Sequence, residues 1–380
     1  MKKNVPITLL TGYLGSGKTT LINHILTNQN QYKIAVIVND IGEVNIDATF
    51  IEKGGIVTEK EESLVALSNG CICCNLKMDL VEQIVEIINQ DKFDYIVIEA
   101  SGICEPLPIA QTITMMPDLI EGGDSQDICR LDSVVTVVDA LRLRDEFECG
   151  DSLKRDNIDD EDIEKLIVEQ LEFCNIIILN KVDEVSGEEL EEVKAVIRSI
   201  QPSAKIIETN YSKVDMDDIL NTKSFDLESV MMTAGWVEAL EHHHEHDHEH
   251  EHESGEALEY GINTFVYYRR SPMNRKMFYE WLDEKWDRSI IRTKGVVYFT
   301  DEMGMAYMVE SAGNSKELIP TGPWVSAMPV DEQEIILQQS PDILEEWDDE
   351  YKDKMNKIVF IGKKMDREAI IKKLDSMLDL

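Results

Sequence analysis

Residues 5–26 read VPITLLTGYLGSGKTTLINHIL. A short apolar run, a glycine-rich turn ending in Lys-Thr-Thr, and a run with helical spacing follow one another without a break. Gly12 to Thr19 fits GxxxxGK[ST] between a strand and a helix, the setting a phosphate-binding loop requires. Glycines let backbone N–H groups turn inward, and the following helix aims its positive end at the same point. Gly12, Gly15, Ser16, Gly17, Lys18, Thr19 and Thr20 are therefore candidate phosphate-binding residues. Lys18 is expected to reach the β- and γ-phosphates of a nucleotide, and the Thr19 hydroxyl to ligate Mg²⁺.

Working outward, KIAVIVND (33–40), FDYIVIEASG (93–102), LDSVVTVVDA (131–140) and CNIIILNKVD (174–183) read as four further buried strands. Helical segments are expected at 19–27, 78–90, 161–172 and 187–200. That alternation predicts an α/β fold, a P-loop parallel sheet with helices on both faces. Glu99 closes the third strand, where a carboxylate can anchor Mg²⁺ or its water, and Gly102 can offer its N–H to a γ-phosphate. Asn180-Lys181-Val182-Asp183 closes the fifth. An Asp there can accept from guanine N1–H and N2–H, donors that adenine lacks, so GTP/GDP is expected rather than ATP. Asn180 is expected to bridge the base and the loop, and the Lys181 stem to cover the base.

The chain has 380 residues, which predicts two domains. Its net charge of −38 disfavours nucleic acid and anionic membrane partners. No apolar run approaches the roughly 20 residues of a membrane span. The opening Lys-Lys and apolar run mimic a signal peptide, but that run is needed as the strand before the loop. Seven cysteines in a chain this long favour a reducing cytoplasm.

Three of those cysteines, Cys71, Cys73 and Cys74, fall in GCICC just before a helix. C-x-C-C spacing can supply up to three soft ligands to Zn²⁺ or a similar ion, and a helix start favours thiolate. A redox pair is the main competing reading. Cys104, Cys129, Cys149 and Cys174 read as isolated packing residues. Seven of the eight histidines lie in EHHHEHDHEHEHES (241–254): His242, His243, His244, His246, His248, His250 and His252. That composition builds no core, and its imidazoles suit weak, multi-site capture of Zn²⁺, Ni²⁺, Co²⁺ or Cu²⁺. His24 reads as structural. After this run the chain restarts as a small α/β (α+β) domain. Strands are expected at 261–270, 290–300, 305–311, 317–322 and 357–366, and helices at 273–286 and 366–380. An acidic connection precedes the last strand. The expected organisation is a nucleotide domain (1–225), a His- and acid-rich linker (226–256) and a C-terminal domain (257–380).

The order GYLGSGKTT, NDIGEVNIDA, GCICC, EASG, VVTVVDA, NKVD, a His-rich run, RTKG and VFIGKKMD resembles the CobW-like GTPases, relatives of the nickel-insertion GTPases of hydrogenase and urease. The resemblance covers nearly the whole chain. It implies a metal-responsive GTPase and metallochaperone, with Lys18, Thr19 and Glu99 in the hydrolytic site. It implies Cys73 and Glu43 as internal metal ligands with Cys71 and Cys74 beside them, and Asp47 on the Mg²⁺ or γ-phosphate side. Val38 and Asp40-Ile41 depart from the pattern of many members. The implied cargo is Zn²⁺, with Co²⁺ or Ni²⁺ as alternatives, delivered to a client metalloprotein by a monomer or weak homodimer. Segments 40–48 and 99–106 are expected to respond to the γ-phosphate. Rival readings are a metal buffer that uses the His run, a cobalt chaperone for cobalamin synthesis or nitrile hydratase, and a redox-regulated GTPase.

Overall fold

The computed structural model describes residues 4–28, 32–38, 64–66, 77–119, 128–147, 160–227, 230, 234–242, 260–284, 286–313 and 315–379. The chain divides into two compact units. One comprises Met1–Glu146 and Leu166–Ala234, the other Phe147–Lys165 and Gly235–Leu380.

The first unit holds strands β1 (Val5–Thr11), β2 (Ile34–Val38), β3 (Leu64–Ala66), β4 (Tyr95–Glu99), β5 (Cys129–Asp139), β6 (Ile176–Asn180) and β7 (Lys205–Thr209). They form one parallel sheet in the order β3-β2-β4-β1-β5-β6-β7. Its helices are α1 (Lys18–Thr27), α2 (Lys77–Asn89), α3 (Pro106–Leu119), α4 (Ala140–Phe147), α5 (Asp160–Glu172, of which Leu166–Glu172 belongs here) and α6 (Gly187–Ile200). Every residue of β2, β4 and β6 is buried, as in a sheet covered on both faces. α1 buries Leu21, Ile22, Ile25 and Leu26 against this sheet, each side chain contributing about 1.5–3 kcal/mol of transfer energy. Ser186 and Glu189 form a reciprocal capping box that starts α6.

From β1 the chain turns towards β2 on one side, while β5 lies on the other. The C-terminal end of β1 is therefore the switch point at which open α/β sheets bind ligands. The opposite end is tied by a buried carboxylate. Asp132, fully buried, accepts from Tyr95 Oη at 2.7 Å, Thr222 N at 2.8 Å, Lys223 N at 3.0 Å and Arg130 Nη2 at 3.0 Å. Asn221 and Lys223 in that turn take left-handed conformations. Burial, followed by the Asp132 charge, pushes the Tyr95 phenol far above its ordinary range.

The second unit has strands β8 (Ile262–Arg269), β9 (Ile290–Val297), β10 (Met305–Ala312), β11 (Ser315–Pro323) and β12 (Asn356–Lys363). They form an antiparallel sheet in the order β11-β10-β9-β12-β8. Its helices are α7 (Gly235–His242), α8 (Arg275–Glu284), α9 (Val330–Gln339) and α10 (Arg367–Asp375). Phe265, Phe278, Trp281, Phe299, Phe360 and Leu374 form the centre of an aromatic core. Arg292, 1 % exposed, pairs with Glu310 at 2.7 Å.

The sequence reading anticipates five strands in the nucleotide sheet, and the described residues hold seven. The additions, β3 and β7, are edge strands. β3 has three residues, and β7 keeps Lys205 and Glu208 exposed, so neither carries a long apolar run. Helices α3, α4, α7 and α9 are further additions; α7 occupies Gly235–His242, inside the segment expected as a flexible linker, where Val237 is buried.

Candidate functional site

The phosphate loop spans the turn from β1 into α1. Gly12 has φ +136° and Gly17 φ +115°, conformations that L side chains avoid. A Cβ on Gly12 would lie 2.3 Å from the Val137 carbonyl oxygen, and one on Gly17 would lie 2.4 Å from Asn180 Nδ2. α1 begins at Lys18 with no acidic residue in its first turn and no side-chain cap, which leaves its positive end suited to an anion. Lys18 is 8 % exposed, and its Nζ donates to the carbonyls of Gly12 (2.7 Å) and Tyr13 (3.3 Å). Ser16 is buried, Thr19 is half-buried, and Gly15 and Thr20 lie in the loop and the first turn of α1.

Three strand ends converge on this loop. Glu99 ends β4 in register with Leu10 of β1 and is 2 % exposed. Gly102 sits against the loop, since a Cβ there would lie 3.0 Å from Leu14 N. Thr19 and Glu99, a hydroxyl and a buried carboxylate at the same end of the sheet, are hard oxygen donors of the kind Mg²⁺ takes.

Asn180 ends β6, and its amide joins two loops. Nδ2 donates to Ser16 O at 2.8 Å, and Oδ1 accepts from Ser212 N at 2.9 Å. Ser212 Oγ donates to Gly17 O at 3.1 Å. Lys181 is left-handed (φ 60°), and its Nζ pairs with Asp139 Oδ2. Asp183 is exposed, and its backbone N donates to Asn210 Oδ1 at 3.1 Å. The structure thus brings Gly12, Gly15, Ser16, Gly17, Lys18, Thr19, Thr20, Glu99, Gly102, Asn180, Lys181 and Asp183 to one end of the sheet.

Four supporting residues escape the sequence reading. Asn210 and Ser212 brace Asp183 and Asn180. Asp139 holds Lys181 through one oxygen and accepts from Arg142 N at 3.1 Å through the other. The Arg142 guanidinium lies 4.1 Å above the Tyr13 ring, fixing the outer side of the loop. Asp139, the penultimate residue of VVTVVDA, is the only sequence signal among them. A cavity of about 20 Å³, room for one water, is lined in part by Ser16, Thr136 and Gln170.

Glu43, Asp47, Cys71, Cys73, Cys74, Cys149, His243, His244, His246, His248, His250 and His252, with segment 40–48, lie outside the described residues. His242 is the last residue of α7. Among the described residues no cluster of three His, Cys, Asp or Glu could hold a metal ion. None of the helices there is long and apolar enough to cross a membrane. His24 is held on both sides: Nε2 donates to Val214 O at 2.9 Å, and Nδ1 accepts from Asn28 Nδ2 at 3.0 Å. Cys129 and Cys174 are buried free thiols, pushed up to about 11 and about 12 by burial. Cys104 differs from the isolated residue expected. It is buried and disulfide-bonded, and its carbonyl accepts from Gln170 Nε2 at 3.2 Å.

Comparison with known proteins places this geometry. The family "CobW/HypB/UreG, nucleotide-binding domain" matches residues 6–208, and "Cobalamin synthesis protein cobW C-terminal domain" matches residues 262–378. Zinc-regulated GTPase metalloprotein activator 1 of Dictyostelium discoideum is 35 % identical, over 97 % of this chain and 78 % of its own. The zinc chaperone CobW of Pseudomonas aeruginosa is 34 % identical, over 57 % of this chain and 59 % of its own. The crystal structure of Zn(II)-bound YjiA GTPase from E. coli aligns over the whole of both chains at 21 % identity, with a TM-score of 0.43. With a matching domain in each half of the chain and a relative aligned along nearly all of it, this protein is a member of the CobW/HypB/UreG family.

Proposed function

We propose that this chain is a GTPase and metallochaperone that couples GTP binding and hydrolysis to transfer of Zn²⁺, with Co²⁺ or Ni²⁺ as alternatives, to a client metalloprotein in the cytoplasm. The observation that carries the nucleotide reading is the Asn180 amide, which fixes the end of β6, three residues before Asp183, against the phosphate loop at Ser16. In this reading residues 1–225 bind nucleotide, 226–256 link, and 257–380 form the C-terminal domain. The names of the relatives, a zinc-regulated GTPase metalloprotein activator and a zinc chaperone, support the choice of metal.

In this reading Asp183 accepts the guanine N1–H and N2–H donors, and adenine would leave that carboxylate without them. Lys18 exchanges the Gly12 and Tyr13 carbonyls for the β- and γ-phosphates, while the loop N–H groups and the α1 terminus hold the rest of their charge. Thr19 and Glu99 would hold Mg²⁺, which supplies charge neutralisation between the phosphates. Gly102, packed on Leu14, is placed to sense the γ-phosphate. Cys71, Cys73 and Cys74, with Glu43, are the proposed cargo ligands, and the seven histidines from His242 to His252 a capture run.

Asp183→Asn tests the base assignment. It presents an N–H donor in place of an acceptor, so preference should move from guanine to xanthine nucleotides. Unchanged guanine preference would refute the assignment. Lys18→Ala should abolish hydrolysis. Zn²⁺ titration with and without a non-hydrolysable GTP analogue tests the coupling, because linkage requires equal and reciprocal effects. Identical zinc affinities would remove the switch and leave only a metal-binding GTPase.

A further inference from the structure

The connection that precedes the last strand of the second unit contains helix α9, and that helix is poorly supported by its own chain. Four of its ten residues are aliphatic, namely Val330, Ile335, Ile336 and Leu337, yet none of its side chains is fully buried. Val330 is 70 % exposed and Ile335 56 %, and Leu344, in the 3-10 turn Pro341–Leu344, is 52 % exposed. A helix of ten residues is marginal in water unless one face is packed. Local terms add little: Pro329 supplies no side-chain cap and no basic residue closes the last turn. Asp331 and Glu332 in the first turn contribute a few tenths of a kcal/mol to about 1 kcal/mol each through the dipole.

The surroundings select what could cover it. Residues 330–353 contain ten Asp and Glu against the single base Lys352, and with Lys357, paired with Glu346, and Arg270, bonded to the Lys352 and Glu346 carbonyls, the local net charge is −7. Asp331, Glu332, Glu334, Glu345, Asp349 and Glu350 are exposed. Asp331 and Glu332 lie one turn before Ile335 on the same helix face. A second copy would bring two such acidic surfaces together, which like-charge repulsion opposes. We propose that α9 and the turn Pro341–Leu344 form a docking surface for a cationic amphipathic segment of a partner protein. Apolar residues of that segment cover Ile335 and Leu344, and its Lys and Arg residues face the acids. This is helix-face recognition with electrostatic steering, and it stands independently of the nucleotide reading.

The test uses the full chain and a fluorescent helical peptide of Leu and Lys, read by anisotropy. Two control peptides replace Leu by Ser or Lys by Glu. The Leu/Lys peptide should bind at least tenfold tighter than either control and weaken with salt. Ile335→Ser/Leu344→Ser should weaken it at least tenfold, and Asp331→Asn/Glu332→Gln about threefold with a shallower salt dependence. Glu184→Lys/Glu191→Lys, which removes exposed acids elsewhere, should leave it unchanged. Hydrogen exchange of the α9 amides should slow when peptide is added. Equal binding of the Ser/Lys peptide, indifference to Ile335→Ser/Leu344→Ser, protection confined to other segments, or a peptide-free dimer formed through α9 would each overturn the proposal.

Discussion

Replacing Gly17 by Ala tests whether the brace between the phosphate loop and β6 is a structural joint. At φ +115° an L residue costs about 1–2 kcal/mol in backbone strain. The new Cβ would sit 2.4 Å from Asn180 Nδ2 and 2.8 Å from Ser212 Oγ, so both must move. That surrenders the bonds from Asn180 Nδ2 to Ser16 O, from Ser212 N to Asn180 Oδ1 and from Ser212 Oγ to Gly17 O, at about 1 kcal/mol each. The total is about 4–5 kcal/mol. Gly15 also has positive φ (+81°), but nothing lies within 4 Å of its Cβ position, so Gly15→Ala carries only the strain. The two variants should differ by about 3 kcal/mol, or roughly 1.5 M in urea midpoint for a slope near 2 kcal/mol/M. The five tryptophans Trp236, Trp281, Trp286, Trp324 and Trp347 all lie in the second unit. Their fluorescence therefore follows that unit, while far-ultraviolet circular dichroism follows both. Gly17→Ala should move the dichroism transition and leave the fluorescence transition in place. Equal shifts for Gly15→Ala and Gly17→Ala would refute the brace.

Three further outcomes are expected. Asp132→Ala leaves Tyr95 Oη and the Thr222 and Lys223 amides without their acceptor, and should destabilise the first unit by about 3–5 kcal/mol, again in dichroism alone. Burial raises the Glu310 carboxyl, but Arg292 and Lys294 outweigh it and hold the group below its ordinary value. Its stabilisation is present above the unfolded-state value and lost as pH falls through the folded-state value, so Glu310→Gln should flatten the acid-side loss of the fluorescence midpoint. At pH 8 about one Cys129 thiol in a thousand is ionised, and fewer for Cys174, so alkylation of both should wait for denaturant, while Cys104 should label only after reduction.

Much of the sheet is legible because its inner strands are unbroken apolar runs: IAVIV, YIVIE and IIILN cannot be placed except in a two-sided core. α3 is hidden by Pro106, Pro108 and Pro117. The first two fall in its opening turn, where a missing N–H costs nothing. α9 is hidden because its aliphatic residues are not buried, so no helical periodicity marks a core face. At the site, the loop glycines, Lys18 and Asn180-Lys181-x-Asp183 are visible because close backbone approach and, in the proposed assignment, base recognition restrict residue type. Asn210 and Ser212 are not. Tyr211 and Ser212 turn the chain through φ values of 55° and 52° without a glycine, and nothing in Thr-Asn-Tyr-Ser announces that turn.

The Asn180 amide spends both its donor and its acceptor inside the protein, and this has a metrical result. It holds the end of β6, three residues before Asp183, against the loop at Ser16. In the proposed assignment, where Asp183 reads guanine and the loop amides hold phosphate, that fixed spacing would make the site a gauge of length. Only a guanosine carrying a phosphate chain long enough to span the gap would then engage both ends, and rigid spacing would let the second contact form without further ordering of the chain.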